Sequence, residues 1–325
     1  MLENNHPNFL VMDELSLSKV PFFFMIDFLV EKVEIFAEDQ ISENGLSIDF
    51  QNVKAEKFGQ TTAKKFELKV FPESPETYQK GFDLVQQNLR LGNSYLTNYT
   101  CQTEIEINLT LKQIFELSAA KYKVLYKDEF VCFSPETFIE IKENRISTHP
   151  MKGTIDASIE NAVEVLKNNS KEKAEHYTVV DLLRNDLSRV ADDVKVDEFQ
   201  RIDLIKTAQK NLYAMSSEIS GTVKPNFRGK IGSIFRELLP AGSILGAPKR
   251  KTLEIILEAE NYKRGFYTGV CGWFDGEDLD SGVMIRFIEK EGEKLYFKSG
   301  GGITHLSNFA DEYQEMINKI YVPIH

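Results

Sequence analysis

Residues 294–323, KLYFKSGGGITHLSNFADEYQEMINKIYVP, decide how the chain is built. Lys294 to Lys298 alternates as a half-buried strand does. Gly300-Gly301-Gly302 then predicts a turn, because residues without a Cβ let the backbone reverse. From Asn308 the apolar spacing becomes helical and runs to Ile320, after which Pro323 blocks extension. Strand and helix thus follow one another within one short stretch, and a chain of mixed α+β class is expected. How its sheets are arranged does not follow from the pattern.

Outward from that stretch, strands are predicted near 266–274 and 282–289, and at 20–30 and 32–36. Glu38 to Lys65 is polar and charged and reads as hairpins or loops. Pro75 to Leu91 sets Phe82, Leu84, Val85 and Leu89 at helical spacing and stops at Gly92, after which Ser94 to Thr100 alternates like a strand. Glu129–Ser134 and Thr137–Ile141 read as strands flanking a turn at Pro135. Helices are predicted at 156–168, 170–188, 228–238 and 247–259. No repeat, low-complexity linker or composition shift marks a boundary. One domain over 1–325 is therefore expected.

A formal net charge of -11 and a pI near 5.2 exclude broad electrostatic attraction to nucleic acid or anionic membrane, so neither is an expected partner. A small acidic ligand would need local positive groups or a metal. Cys101, Cys132 and Cys271 are widely spaced and odd in number, suggesting neither a disulfide framework nor a zinc site. The apolar run Val20–Val30 is short and broken by Asp27, which predicts neither a signal segment nor a membrane span. A reducing cytoplasm is the expected location.

Several residues can carry chemistry. Glu172/Glu175 and Glu312/Glu315 are each spaced i,i+3, so both carboxylates of a pair share one helix face. Such pairs are ordinarily solvated, but a cluster of carboxylates is also what Mg²⁺ binds. Lys152 sits in Pro150-Met151-Lys152-Gly153-Thr154, a predicted turn. It is either an exposed lysine or, as a neutral amine, a nucleophile. Glu136, beside Pro135, is a solvated turn carboxylate or the acid that helps a leaving group depart. Gly300 to Gly302 can offer backbone N–H groups to an anion or simply make a hairpin. Arg286 lies in an apolar predicted strand and needs an acidic partner or a bidentate carboxylate ligand.

In order, the segments GNSYLTN (92–98), SPETF (134–138), PMKGT (150–154), AEH (174–176), DLLRND (181–186), PAGSILGAPK (240–249), YTG (267–269), Ile285-Arg286, GGGI (300–303) and EYQE (312–315) form a specific series. From about Gly92 to Lys319 the chain resembles the chorismate-utilising enzymes, and among them the synthase component of aminodeoxychorismate synthases. That resemblance implies a single α+β domain in which two large antiparallel β-sheets pack as a sandwich with helices outside. It also implies Mg²⁺ bound directly by Glu175 and Glu315 and through water by Glu172 and Glu312, holding the ring carboxylate of chorismate. Arg286 and Tyr267 would bind the enolpyruvyl carboxylate. Thr154, the amides of Gly300, Gly301 and Gly302, and Lys319 would contact the substrate.

Within the family the residue before Gly153 separates branches. Aminodeoxychorismate synthases typically carry lysine there and anthranilate synthases alanine, so Lys152 implies the 4-aminobenzoate and folate branch. Lys152 would attack ring carbon 2 while Glu136 protonates the hydroxyl leaving carbon 4. Ammonia would then displace the lysine to give 4-amino-4-deoxychorismate. A separate glutamine amidotransferase subunit would supply the ammonia, since the sequence shows no Cys nucleophile elbow with a matching His and Glu. Two departures stand out. The histidine that much of the family carries within the segment corresponding to Asn211–Ser217 is missing, and the N-terminal portion is shorter than in typical members, with no serine-containing tryptophan-pocket segment identified in it. Anthranilate synthase component I, an isochorismate-forming relative and a catalytically silent partner-binding subunit are the competing readings.

Overall fold

Phe22–Ile26 is an uninterrupted apolar run, and all five residues are buried. A strand covered on both faces needs no polar alternation. It pairs antiparallel with the equally buried Val270–Phe274 on one side and with Val33–Ala37 on the other. The computed structural model describes residues 5–50, 53–54, 66–205 and 211–324. The chain forms two compact units, each assembled from separate segments.

The first unit comprises Met1–Ala37, Glu136–Leu245 and Gly269–Val283. Its described residues form a nine-stranded antiparallel sheet. The order is Met151–Asp156, Leu212–Val223, Arg145–Thr148, Thr137–Lys142, Leu279–Val283, Val270–Phe274, Phe22–Ile26 and Val33–Ala37, with Ala191–Ile205 also paired to Leu212–Val223. Helix Ser170–Val190 buries Val179, Val180, Leu183, Leu187 and Val190, an i,i+3/i+4 stripe. A helix absent from the sequence expectations, Asn8–Leu17, lies against Ile231–Leu238. Gly232 permits the approach, since a Cβ there would sit 1.9 Å from the Phe9 carbonyl oxygen. Asp13 accepts the Ser233 N–H at 2.8 Å, satisfying a donor that the first turn of the second helix leaves open.

The second unit comprises Glu38–Pro135, Gly246–Thr268 and Met284–His325. Its described residues form a nine-stranded sheet that runs Gly246–Ala247, Leu96–Ile107, Lys294–Ile303, Phe287–Glu291, Phe130–Ser134, Tyr122–Tyr126, Leu46–Phe50 and Val53–Lys54, with Leu68–Phe71 also on Leu96–Ile107. Helix Pro75–Arg90 starts as predicted: Ser74 accepts the Thr77 N–H at 3.2 Å and proline occupies the first turn. Its Tyr78, Phe82, Val85 and Leu89 enter a core shared with Phe297, Ile303 and Met316. The expected α+β class with two large antiparallel sheets and surrounding helices is what the chain adopts. No described helix is long and apolar enough to cross a membrane.

Several local expectations are corrected. Gly300–Gly302 is not a turn but the end of strand Lys294–Ile303, opposite Thr100, Tyr99 and Asn98. Glycine is required there by a close approach, because a Cβ on Gly300 would lie 2.2 Å from the Tyr99 carbonyl oxygen. The predicted strand 282–289 is two strands in different sheets, Leu279–Val283 and Phe287–Glu291, and Arg286 lies in the break with φ 54°. The expected turn 150–154 is mostly strand Met151–Asp156 with a bulge between Lys152 and Thr154. Gly153, at φ 74°, takes the left-handed conformation that such a bulge calls for. Helix 156–168 shortens to Ala162–Asn168. Within the polar stretch 38–65, Leu46–Phe50 is a mostly buried strand, while 51–52 and 55–65 lie outside the described residues.

Candidate active site

In the first unit, Lys152 stands opposite Met215 in the antiparallel pair of Met151–Asp156 with Leu212–Val223. Paired residues share a sheet face, and so does Ser217, two residues beyond Met215. Ser217 Oγ is 2.7 Å from His176 Nε2 and accepts the Gln200 N–H at 3.1 Å. His176 is fully buried and its Nδ1 has no hydrogen-bond partner among the described residues. Burial, and secondarily the charge of Lys152, lower its pKa from 6.5 to about 4. The imidazole beside Lys152 is therefore neutral at physiological pH.

The helix that carries His176 also brings the first acidic pair to this strand. A Cβ on Gly153 would lie 2.9 Å from Glu172 Oε2, so the carboxylate rests over the bulge that follows Lys152. Glu175 is 8 % exposed, which overturns for this residue the ordinary picture of a solvated helix face. Glu136, at the start of strand Thr137–Lys142, is half-buried; Ser243 donates to its Oε1 at 3.0 Å, and its carbonyl accepts the Val283 N–H at 3.0 Å. The backbone of Thr154 continues the Lys152 strand, and its side chain is outside the described residues.

In the second unit, helix Phe309–Asn318 is capped by Asn308, which accepts the Asp311 N–H at 3.0 Å. Glu312, Glu315, Met316 and Lys319 lie at i, i+3, i+4 and i+7, one helical face. A Cβ on Gly301 would be 3.3 Å from Glu315 Oε1, 3.5 Å from Lys319 Nζ and 3.6 Å from Glu312 Oε2. All three side chains thus converge on the space that glycine leaves open. Lys319 bonds Glu315 Oε1 and the Gly300 carbonyl, each at 2.7 Å, while Glu312 is 2 % exposed. Strand Phe287–Glu291 pairs only as far as Lys298, so beside Gly300–Gly302 no described strand occupies that edge.

Tyr267 and Arg286 belong to the same unit. Tyr267 is buried, which pushes its phenol pKa up, and its N–H bonds the Arg264 carbonyl at 3.1 Å. Thr268, at φ 60°, donates its N–H to the Met284 carbonyl at 2.8 Å, tying this turn to the segment that leads into Arg286. Behind it lies a buried pair that the sequence reading missed, Arg264 with Glu260 at 2.6 Å. Among the described residues no three of His, Cys, Asp and Glu gather closely enough to hold a metal ion, so the acidic donors come as pairs within each unit. Their chemistry fits a hard cation: all are carboxylates, and the Gly301 space is bordered by two of them.

The family described as chorismate binding enzyme matches residues 26–325. An uncharacterised PabA-like protein of Pasteurella multocida is 52 % identical over 94 % of this chain and 94 % of its own length. Aminodeoxychorismate synthase component 1 of Bacillus subtilis is 30 % identical over 77 % of this chain, which spans 55 % of that protein. The crystal structure of anthranilate synthase component I from Streptococcus pneumoniae superposes with a TM-score of 0.66 at 25 % identity, over 79 % of this chain and 59 % of that one.

Proposed function

Since the chain belongs to the chorismate binding enzyme family and is a component-I-like relative of the anthranilate, aminodeoxychorismate and isochorismate synthases, we propose that it is an aminodeoxychorismate synthase component I. The observation that carries this choice is Lys152, placed on a strand beside neutral His176 and the Glu172 carboxylate.

In this reading Lys152 Nζ uses its lone pair to form a bond to chorismate carbon 2 as the carbon 4 hydroxyl leaves. Glu136 gives that hydroxyl its proton, held in position by Ser243. Ammonia then bonds to carbon 4, the carbon 2–nitrogen bond breaks, and the lysine returns to its free form. The product is 4-amino-4-deoxychorismate, the precursor of 4-aminobenzoate. Arg286 and Tyr267 bind the enolpyruvyl carboxylate, while Lys319 and the amides of Gly300, Gly301 and Gly302, with Thr154, contact the substrate. Glu175 and Glu315, supported by Glu172 and Glu312, are the residues assigned to Mg²⁺, which when bound neutralises a substrate carboxylate. A glutamine amidotransferase subunit is the proposed ammonia source.

The test is incubation with chorismate, Mg²⁺ and ammonium, with and without added aminodeoxychorismate lyase, and identification of the products by mass spectrometry. 4-Aminobenzoate only when lyase is present is expected. Anthranilate or isochorismate would reassign the branch, and absence of turnover with and without the amidotransferase would leave a silent subunit.

A further inference from the structure

Arg286 has an unusual setting. Its backbone is fixed at φ 54° by the Phe133 N–H, which donates to its carbonyl at 3.0 Å, and by Cys132 Sγ, which approaches the Ile285 carbonyl at 3.3 Å. Among the described residues, the buried ion pairs of this unit, Arg264–Glu260, Lys298–Glu289 and Lys123–Asp49, do not include it. Its Nε is buried without a hydrogen-bond partner among the described residues. The guanidinium does have one contact of note, with Cζ 5.3 Å from the ring centroid of Tyr321.

Tyr321 follows the Glu312–Glu315 helix, and its backbone is held on both sides. Ile320 and Val322 are buried in the hydrophobic core of the unit. The Ala119 N–H donates to the Pro323 carbonyl at 2.9 Å, and Ile324 bridges Ser118. With its neighbours anchored in the core, the half-buried ring of Tyr321 forms a fixed platform for the guanidinium.

Resting on the assignment of Arg286 to a substrate carboxylate, we propose that Tyr321 is a positioning residue that holds the guanidinium in the orientation that this carboxylate needs. A flat guanidinium donates two parallel N–H bonds only when its plane matches the carboxylate. A cation–π contact with the ring restrains the guanidinium without using any N–H. The aromatic face, not the phenolic hydroxyl, does the positioning.

The experiment measures kcat and KM for chorismate with ammonium and Mg²⁺, together with melting temperature, for Tyr321→Leu, Tyr321→Phe and Arg286→Leu. Tyr321→Leu is expected to raise KM about 5- to 30-fold with kcat within about twofold, the span of a desolvated cation–π contact. Tyr321→Phe should restore the wild-type KM, and it decides the matter should the leucine variant fold poorly. A KM raised equally by phenylalanine, or unchanged in leucine while Arg286→Leu raises it, overturns the role of Tyr321 alone. An unchanged KM in Arg286→Leu overturns the carboxylate assignment, and the role of Tyr321 with it.

Discussion

Glu260→Gln should destabilise the protein far more than its loss of one charge at a surface would. The Glu260 and Arg264 side chains are 3 % and 2 % exposed, and the carboxylate is fully engaged. Arg264 Nε and Nη2 donate to it at 2.8 and 2.6 Å, and the Thr100 N–H and hydroxyl at 2.9 and 2.8 Å. Glutamine keeps the shape but leaves Arg264 as a buried cation without its counter-charge, and turns one acceptor into a donor. Removing one partner of such a pair costs about 3–5 kcal/mol. At roughly 2–4 °C per kcal/mol the melting temperature should fall by about 6–20 °C, read by differential scanning calorimetry. Glu260→Gln combined with Arg264→Met removes both charges, and should recover part of the loss, because the stranded cation is what costs most. A single variant melting within about 2 °C of wild type would refute the reasoning. So would a double variant whose loss is the simple sum of the two single ones.

Lys152→Ala should abolish the covalent chorismate adduct detected by mass spectrometry and lower amination, with thermal stability nearly unchanged because the side chain is half-exposed. Gly300→Ala places a Cβ 2.2 Å from a backbone oxygen that cannot swing away, so a loss of about 3 kcal/mol or more is expected in urea unfolding. His176 titrates near 4 in the folded chain and near 6.5 unfolded, so the unfolded chain takes the proton first as pH falls. Its contribution is then fully present above about pH 6.5 and declines through pH 4, by about 3 kcal/mol. His176→Gln should flatten that slope in urea unfolding followed against pH, and an identical slope would contradict the assignment.

The elements most legible in the sequence were those whose own residues suffice to form them. Pro75–Arg90 has a serine cap, a first-turn proline and an apolar stripe, and it appears nearly as read. Less legible were elements defined by a distant partner. Leu96–Ile107 is a 12-residue strand because it pairs with Lys294–Ile303 and Leu68–Phe71. Its own alternation marks only the first few residues. Helix Asn8–Leu17 has an aperiodic apolar pattern, and its position depends on Gly232, far along the chain. Sheet membership was hidden for the same reason. Leu279–Val283 and Phe287–Glu291 read as one strand, and only their different partners separate them.

For the candidate site, motif order named candidate residues but not the physical setting of each. The three glycines looked like a hairpin turn, yet they have two different uses within one strand. Gly300 makes room for the Tyr99 backbone, while Gly301 opens the space into which Glu312, Glu315 and Lys319 converge. Acidic i,i+3 spacing alone could not distinguish a solvated face from that arrangement, because the distinction lies in the strand opposite the helix. The supporting residues left weaker traces still. Ser243 and His176 fall within recognisable motifs, but nothing in their spacing says that one orients Glu136 or that the other is neutral beside Lys152. Tyr321 follows the last motif, in a segment that reads only as the end of a helix. Its ring meets Arg286 because Ile320 and Val322 are buried on either side of it, a constraint of packing that no local pattern encodes.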